Sequence, residues 1–136
     1  MRIAREAVAL VSLVIAGQLM WAHHSFEAEF DITKPVVLQG TVTKMEWINP
    51  HAWIHLDVKG PDGKVVNWMV ETGSPNILIR RGFTKKSLEV GTEIIVYGYR
   101  AKSGEPKANG GRVTFKDGRT LFLGGSNPDK IPPERK

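Results

Sequence analysis

From Pro35 onward, short runs in which every second residue is apolar alternate with clusters of turn residues. That period of two is the pattern a half-buried strand requires. Val36, Leu38, Gly40 and Val42 alternate with polar neighbours, and then the pattern slips so that Met45 and Trp47 are the apolar residues. A one-residue slip is what a bulge produces, and a bulge bends a strand. A long, bent first strand is therefore expected over 36–47. Asn49-Pro50 makes a turn, and a second strand over 51–59 carries Ala52, Ile54, Leu56 and Val58 on one face. Pro61-Asp62-Gly63 is a hairpin signal, and a third strand over 65–71 turns Trp68 and Val70 toward the core.

Ser74-Pro75 then reads as a helix start, with Ser as N-cap and Pro at the first helical position, and Gly82 can end that helix. A fourth strand is expected over 92–101, a Gly-rich loop over 104–111 and a last strand near 112–115, with 120–123 extending the pairing. Three strands, a short helix and two strands give the fold class: all-β with one short helix, a small five-stranded OB-like Greek-key barrel. An immunoglobulin-like sandwich ranks second, because it wants about seven strands and no central helix. The expected core is Val42, Ile54, Leu56, Val58, Trp68, Ile94 and Val96.

The residues ahead of the barrel read differently. Arg2 and Arg5 precede an apolar run over 7–17, followed by Gln18-Leu19-Met20-Trp21-Ala22. A basic start, a short apolar run and a small-residue end form a secretory signal. A spanning helix needs about 20 apolar residues, so the run is expected to be removed, leaving no transmembrane segment. Two cuts compete, after Ala16 and after Ala22. The second is preferred because it leaves a spacer beyond the apolar run. The domain plan is then 1–22 signal peptide, 23–34 N-terminal arm, 35–125 barrel and 126–136 disordered tail, in a periplasmic or secreted protein. In the arm, Glu27, Glu29 and Asp31 alternate with Phe26, Ala28 and Phe30, which suggests an extended segment packing its phenylalanines on the barrel.

The chain's net charge is +5, and losing Arg2, Arg5 and Glu6 with the signal leaves +4. The basic residues are scattered, which implies weak affinity for anionic surfaces and little more; no nucleic-acid partner is expected in the periplasm. There is no cysteine. That excludes disulfides, thiolate metal sites, Fe–S clusters and cysteine nucleophiles.

Four histidines remain as candidates for chemistry. A cut after Ala22 makes His23 the new terminus, where its α-amine and ring nitrogen can chelate one ion. With pKa values near ~7.7–8.0 and ~6.5, both groups are available at neutral pH once a metal competes with protons. Nitrogen ligation without thiolate suits Cu(II) first, then Ni(II) or Zn(II). His24 adds a second imidazole, but Ser25 stands third, so the terminus cannot complete a square plane and needs help from the barrel. His51 is preferred as that helper because the Asn-Pro turn sets it at a barrel end. His51 and His55 lie about 13 Å apart along a regular strand, too far to share one ion. The bland alternative is that all four are solvated arm and strand residues.

Trp47, Trp53, Tyr97 and Tyr99 with Arg100 suggest a second chemistry, an aromatic and basic face for a ligand. Aromatic side chains of small barrels are more often core or face-covering. No Gly-x-Ser-x-Gly nucleophile or phosphate-binding glycine loop is present, and no acid/base pair emerges by spacing, so no enzyme is expected.

The segments "HHSFEAEFD", "GTVTKMEWINPHAWIHLDV", "GKVVNWMVETGSPNILIRRGFTKKSLEVGTEIIVYGYRAKSG" and "DGRTLFLGG" resemble a bacterial family of exported proteins of unknown function, over nearly the whole chain from His23 to about Ser126. The resemblance implies export and a mature start at the His-His pair, and no settled activity. Two expectations follow. The first is a periplasmic, non-enzymatic β-barrel binding Cu(II) or another divalent metal through His23, His24 and His51. The second is an OB-type module holding a small envelope ligand or a partner protein without metal, on a face carrying Trp53, His55 and Tyr97.

Overall fold

The computed structural model describes residues 26–125. The expected signal segment, His23, His24 and the expected tail lie outside the described residues. Six strands and a short helix follow in order: β1 Phe30–Glu46, β2 Trp53–Lys59, β3 Val65–Glu71, the helix Pro75–Arg80, β4 Glu93–Ala101, β5 Lys107–Phe115 and β6 Thr120–Phe122. β1 lies between β2 and β4 and is antiparallel to both. β2 pairs with β3, and β4 with β5, also antiparallel. The ring closes where Met69–Glu71 of β3 runs parallel to Lys107–Asn109 of β5. The architecture is therefore the expected all-β one, a closed ring of five strands, with the short β6 added against β5.

Several local rules explain how this chain closes. Relative to β2, the register of β1 shifts between Val42 and Lys44. This is the bulge that the slipped alternation indicates, and it lets Met45 and Trp47 pack against the core. At Gly40 the bent strand crosses its neighbour so closely that a Cβ would lie 2.1 Å from the Asp57 carbonyl oxygen; only glycine fits there. Ser74 caps the helix by accepting from the Ile77 N–H, and Leu78 is the buried residue of that helix. With Phe83 and Leu88 it joins the core formed by Val42, Ile54, Leu56, Ile94 and Val96, all buried as expected. Val58 and Trp68 are only partly buried against that core; Arg100 sits 5.3 Å from the Trp68 ring.

Three boundaries differ from the sequence expectation. β1 begins at Phe30, before Pro35, with an irregularity between Phe30 and Pro35 in its pairing to β4. β2 begins at Trp53, so His51 belongs to the turn rather than the strand. β5 begins at Lys107, inside the stretch read as a Gly-rich loop. The reason is steric: a Cβ on Gly110 would lie 2.7 Å from both Leu123 and Val70 side chains. Glycine there marks close packing at the ring closure and not a loop.

The arm is also not extended. Residues 26–29 form a helical turn, so Phe26 and Phe30, four apart, share a face. Both are buried with Tyr99 and Ala101 in a second, smaller cluster, and the Phe26 and Tyr99 rings meet edge to face at 6.2 Å. Ala28 is exposed. Burying one such ring contributes on the order of 1.5–3 kcal/mol. The Lys102 N–H donates to the Glu29 carbonyl at 2.9 Å, and Lys107 pairs with the Glu29 carboxylate. Together these contacts fix the arm over the end of β4 and the start of β5.

Candidate functional site

Inward positions of the ring are taken by Ile54, Val70 and Ala108, so Trp53, Glu71 and Asn109 face outward. Glu71 is the register partner of Trp53 in β2 and of Asn109 in β5, and Asn109 is the partner of Tyr99 in β4. These four residues form one row across the outside of the closure. Outward polar residues of a small barrel are ordinarily wet, yet Glu71 is 5% exposed and Asn109 only 2%. Phe26 and Phe30 cover the Tyr99 end. Gly125 lies so close to the row that a Cβ on it would be 2.5 Å from the Asn109 side-chain oxygen. Asn109 Nδ2 donates to Glu71 Oε1 at 3.2 Å, which answers part of the cost of burying that carboxylate.

His51 stands at the edge of this row. Its Nδ1 is 2.9 Å from the Thr72 carbonyl oxygen and 3.8 Å from Glu71 Oε1. A carbonyl oxygen can only accept, so Nδ1 carries the proton, which leaves Nε2 as the nitrogen that can ligate. The carbonyl is itself well held. Thr72 N–H donates to the Ala52 carbonyl, Ala52 N–H to that of Gly73, and Gly73 N–H to that of Leu123. The His51 side chain is 35% exposed. It is thus oriented from behind and open in front.

The other candidates fall in two places. Trp53 ends the row on β2, with the Lys107 ammonium 5.0 Å from its ring centre. His55 is two residues along the same outward face, its Nε2 2.8 Å from Glu46 Oε1. Lys44 Nζ reaches the same oxygen at 2.6 Å. The Glu46 carboxyl is held below its ordinary range, first by the Lys44 bond and then by His55. Tyr97 is elsewhere, under the Arg112 guanidinium at 4.2 Å. His55 is level with Lys44 of β1 and Tyr97 with Val37, seven positions and about 23 Å of strand apart. The structure therefore brings Trp53 and His55 together and leaves Tyr97 out of that face.

A groove of about 480 Å³ opens on the outer wall across β2, β1, β4 and β5, lined by Gln39, Gly40, Thr41, Asp57, Ile95 and Thr114 among others. None of the site candidates taken from the sequence (His23, His24, His51, Trp53, His55, Tyr97) is among its lining residues; a glycine inside an alternating strand is its one sequence signal. Among the described residues no three His, Asp or Glu side chains are grouped to hold a metal ion, and no helix is long and apolar enough to cross a membrane. His51 would therefore need ligands from His23 and His24, outside the described residues. Glu71, Thr72 and Asn109 carried no local signal, because their burial comes from segments far away in the chain.

Residues 9–111 match the model described as Family of unknown function (DUF6152). The chain belongs to that family. Its match runs from the apolar N-terminal run to Gly111, within β5. Neither a curated protein nor a solved structure matches the chain. Membership carries no activity with it, so function rests on the chemistry of the site.

Proposed function

We propose that this protein is a periplasmic, non-enzymatic, OB-like β-barrel that binds a divalent metal, Cu(II) first, through His51 and the histidines of its mature N-terminus, His23 and His24. The observation that carries the reading is the bond from His51 Nδ1 to the Thr72 carbonyl. A ligand imidazole usually donates its other N–H to a carbonyl or carboxylate, which fixes the tautomer and raises the basicity of the ligating nitrogen. His51 meets that description before any ion arrives.

Reach supports the same reading. Phe26 is anchored on Tyr99 of β4, and β3, which carries Glu71 beside His51, is two strands away across β5. Two strand spacings are about 10 Å. His23 lies three residues before Phe26, and three residues span up to about 10 Å of extended chain. The α-amine, one or two imidazoles and His51 Nε2 make a nitrogen-rich set, for which Cu(II) has the highest affinity among divalent ions of its row.

Native mass spectrometry of the protein exported through its own signal, with equimolar Cu(II), tests this. The expected species starts at His23 and retains one copper, and His51→Ala or His23→Ala loses it. A start at Gly17, or retention unchanged in His51→Ala, overturns the reading. A second reading, a small envelope ligand held without metal, is expected from the sequence on a face of Trp53, His55 and Tyr97. The groove of about 480 Å³ favours a different place for it, around Gln39, Thr41 and Ile95. Thr41→Trp, which fills the groove, would then abolish ligand binding, and His51→Ala would leave it intact.

A further inference from the structure

We propose a second metal site, for a soft monovalent ion such as Cu(I) or Ag(I), on the outer wall of the barrel between His55 of β2 and Met69 of β3. The two are direct register partners. Their strand neighbours Ile54, Leu56 and Val70 are buried in the core, so His55 and Met69 share the outward face. Side chains directly opposite on antiparallel strands have Cβ atoms about 4.5–5.5 Å apart, within reach of a common ion for an imidazole and a thioether. Met69 is 38% exposed. Its thioether is thus open to solvent on a wall that also carries His55, Asp57, Val65 and Asn67.

The ring of His55 is set for this. Glu46 lies on β1, and its carboxylate can only accept, so His55 Nε2 carries the proton in that 2.8 Å bond. The two nitrogens of an imidazole point away from each other. Tying Nε2 to Glu46 of β1 leaves Nδ1 as the nitrogen that can ligate, and β3 is the strand on the other side of β2. A histidine backed by a carboxylate and offering its other nitrogen is a ligand already oriented. An imidazole with a thioether, and no thiolate, selects soft copper over zinc or magnesium. A filled-shell monovalent ion is content with so few ligands.

The charges around the pair allow a cation. The Lys44 ammonium is paired with Glu46. Lys107, level with Met69 in β5, is paired with Glu29 and lies over Trp53. Asp57 accepts from Asn67 on the far side of His55. Trp53, two residues from His55 on the same face, is a built-in reporter. No ligand is shared with His51, so this site stands or falls apart from the Cu(II) reading.

The test uses the full chain, exported and processed, in a background with His23, His24 and His51 changed to alanine, which leaves His55 as its one histidine. The parent is expected to bind one Ag(I), with quenching of Trp fluorescence and a shift of the Met69 Cε methyl resonance. Met69→Leu and His55→Gln should each lower the Ag(I) affinity at least tenfold with unchanged far-UV circular dichroism, and Met45→Leu should not. Met69→Leu binding Ag(I) as tightly as the parent, or a shift confined to the Met45 methyl, overturns the proposal. So does a parent that retains no Ag(I).

Discussion

His51 and His55 lie four residues apart, and each ring is held by one nitrogen, but the nitrogens and their acceptors differ. His51 gives its Nδ1–H to a main-chain carbonyl, that of Thr72. His55 gives its Nε2–H to a side chain, the Glu46 carboxylate. The carbonyl belongs to a segment stitched to Ala52 and Leu123 by backbone bonds, so His51 is oriented by the closure of the barrel itself. Glu46 belongs to the neighbouring strand and is shared with Lys44. His55 is oriented by local charges on the wall. One ring is set by tertiary structure, the other by an ionic cluster, and the two should fail under different insults.

The largest separation should come from Gly73→Ala. A Cβ there would lie 2.5 Å from the Gly124 carbonyl oxygen and 2.9 Å from the Ile77 side chain, so the 72–74 segment must move. Forcing atoms into a packed site of this kind costs about 1–3 kcal/mol. We expect a lower melting temperature and, by ¹⁵N NMR of the rings, a loosened Nδ1–H tautomer at His51, with His55 unchanged. Equal disturbance of both rings would mean that the barrel closure governs the whole wall.

The same contrast decides what the sequence could disclose. β3 is legible to the residue, because the Pro61-Asp62-Gly63 turn precedes it and its β-branched and aromatic residues favour a strand. The Ser74 cap and the β1 bulge are legible for the same reason: each is a rule about neighbours in the chain. The start of β5 is not, because Gly110 looks like a turn residue until Leu123 and Val70 are seen against it. The buried faces of Glu71 and Asn109 are not legible either. Both occupy outward positions, and the segments that cover them come from the arm and from 124–125. His51 could be suspected from its place after Asn49-Pro50, but its tautomer depends on Thr72, twenty-one residues away. In the arm the packing of Phe26 and Phe30 on the barrel is legible but the shape is not, since Phe26, Ala28 and Phe30 satisfy a period of two while the pair that packs is four apart.

A smaller effect is expected from Glu46→Gln. The amide can still accept from His55 but no longer holds Nε2–H with a charge. Removing such a backing group costs about 10–100-fold in metal affinity where the ring is a ligand. Calorimetric titration with Ag(I) should show that loss, and titration with Cu(II) should not change. If Cu(II) binding falls by the same factor, the two rings are one site and the comparison collapses.

The smallest effect, and the one that separates the acceptors most cleanly, is on pH. Glu46 is held below its ordinary carboxyl value of 4.5, first by Lys44 and then by His55. A carboxyl whose folded value is depressed stabilises the fold above its unfolded value and loses that contribution as the pH falls through the folded one. The acceptor for His55 should therefore stay charged from neutrality down to about pH 4.5, near the unfolded carboxyl value, and be lost only below it. The acceptor for His51 is a carbonyl and does not titrate at all. Following the Glu46 carboxyl carbon by NMR should give a midpoint under the ordinary one, and Lys44→Ala should move it upward. Salt should do the same more weakly, because the pair is exposed and screening acts on it. A midpoint indifferent to Lys44→Ala would remove the ionic cluster as the cause. His55 would then be held, like His51, by the shape of the barrel alone.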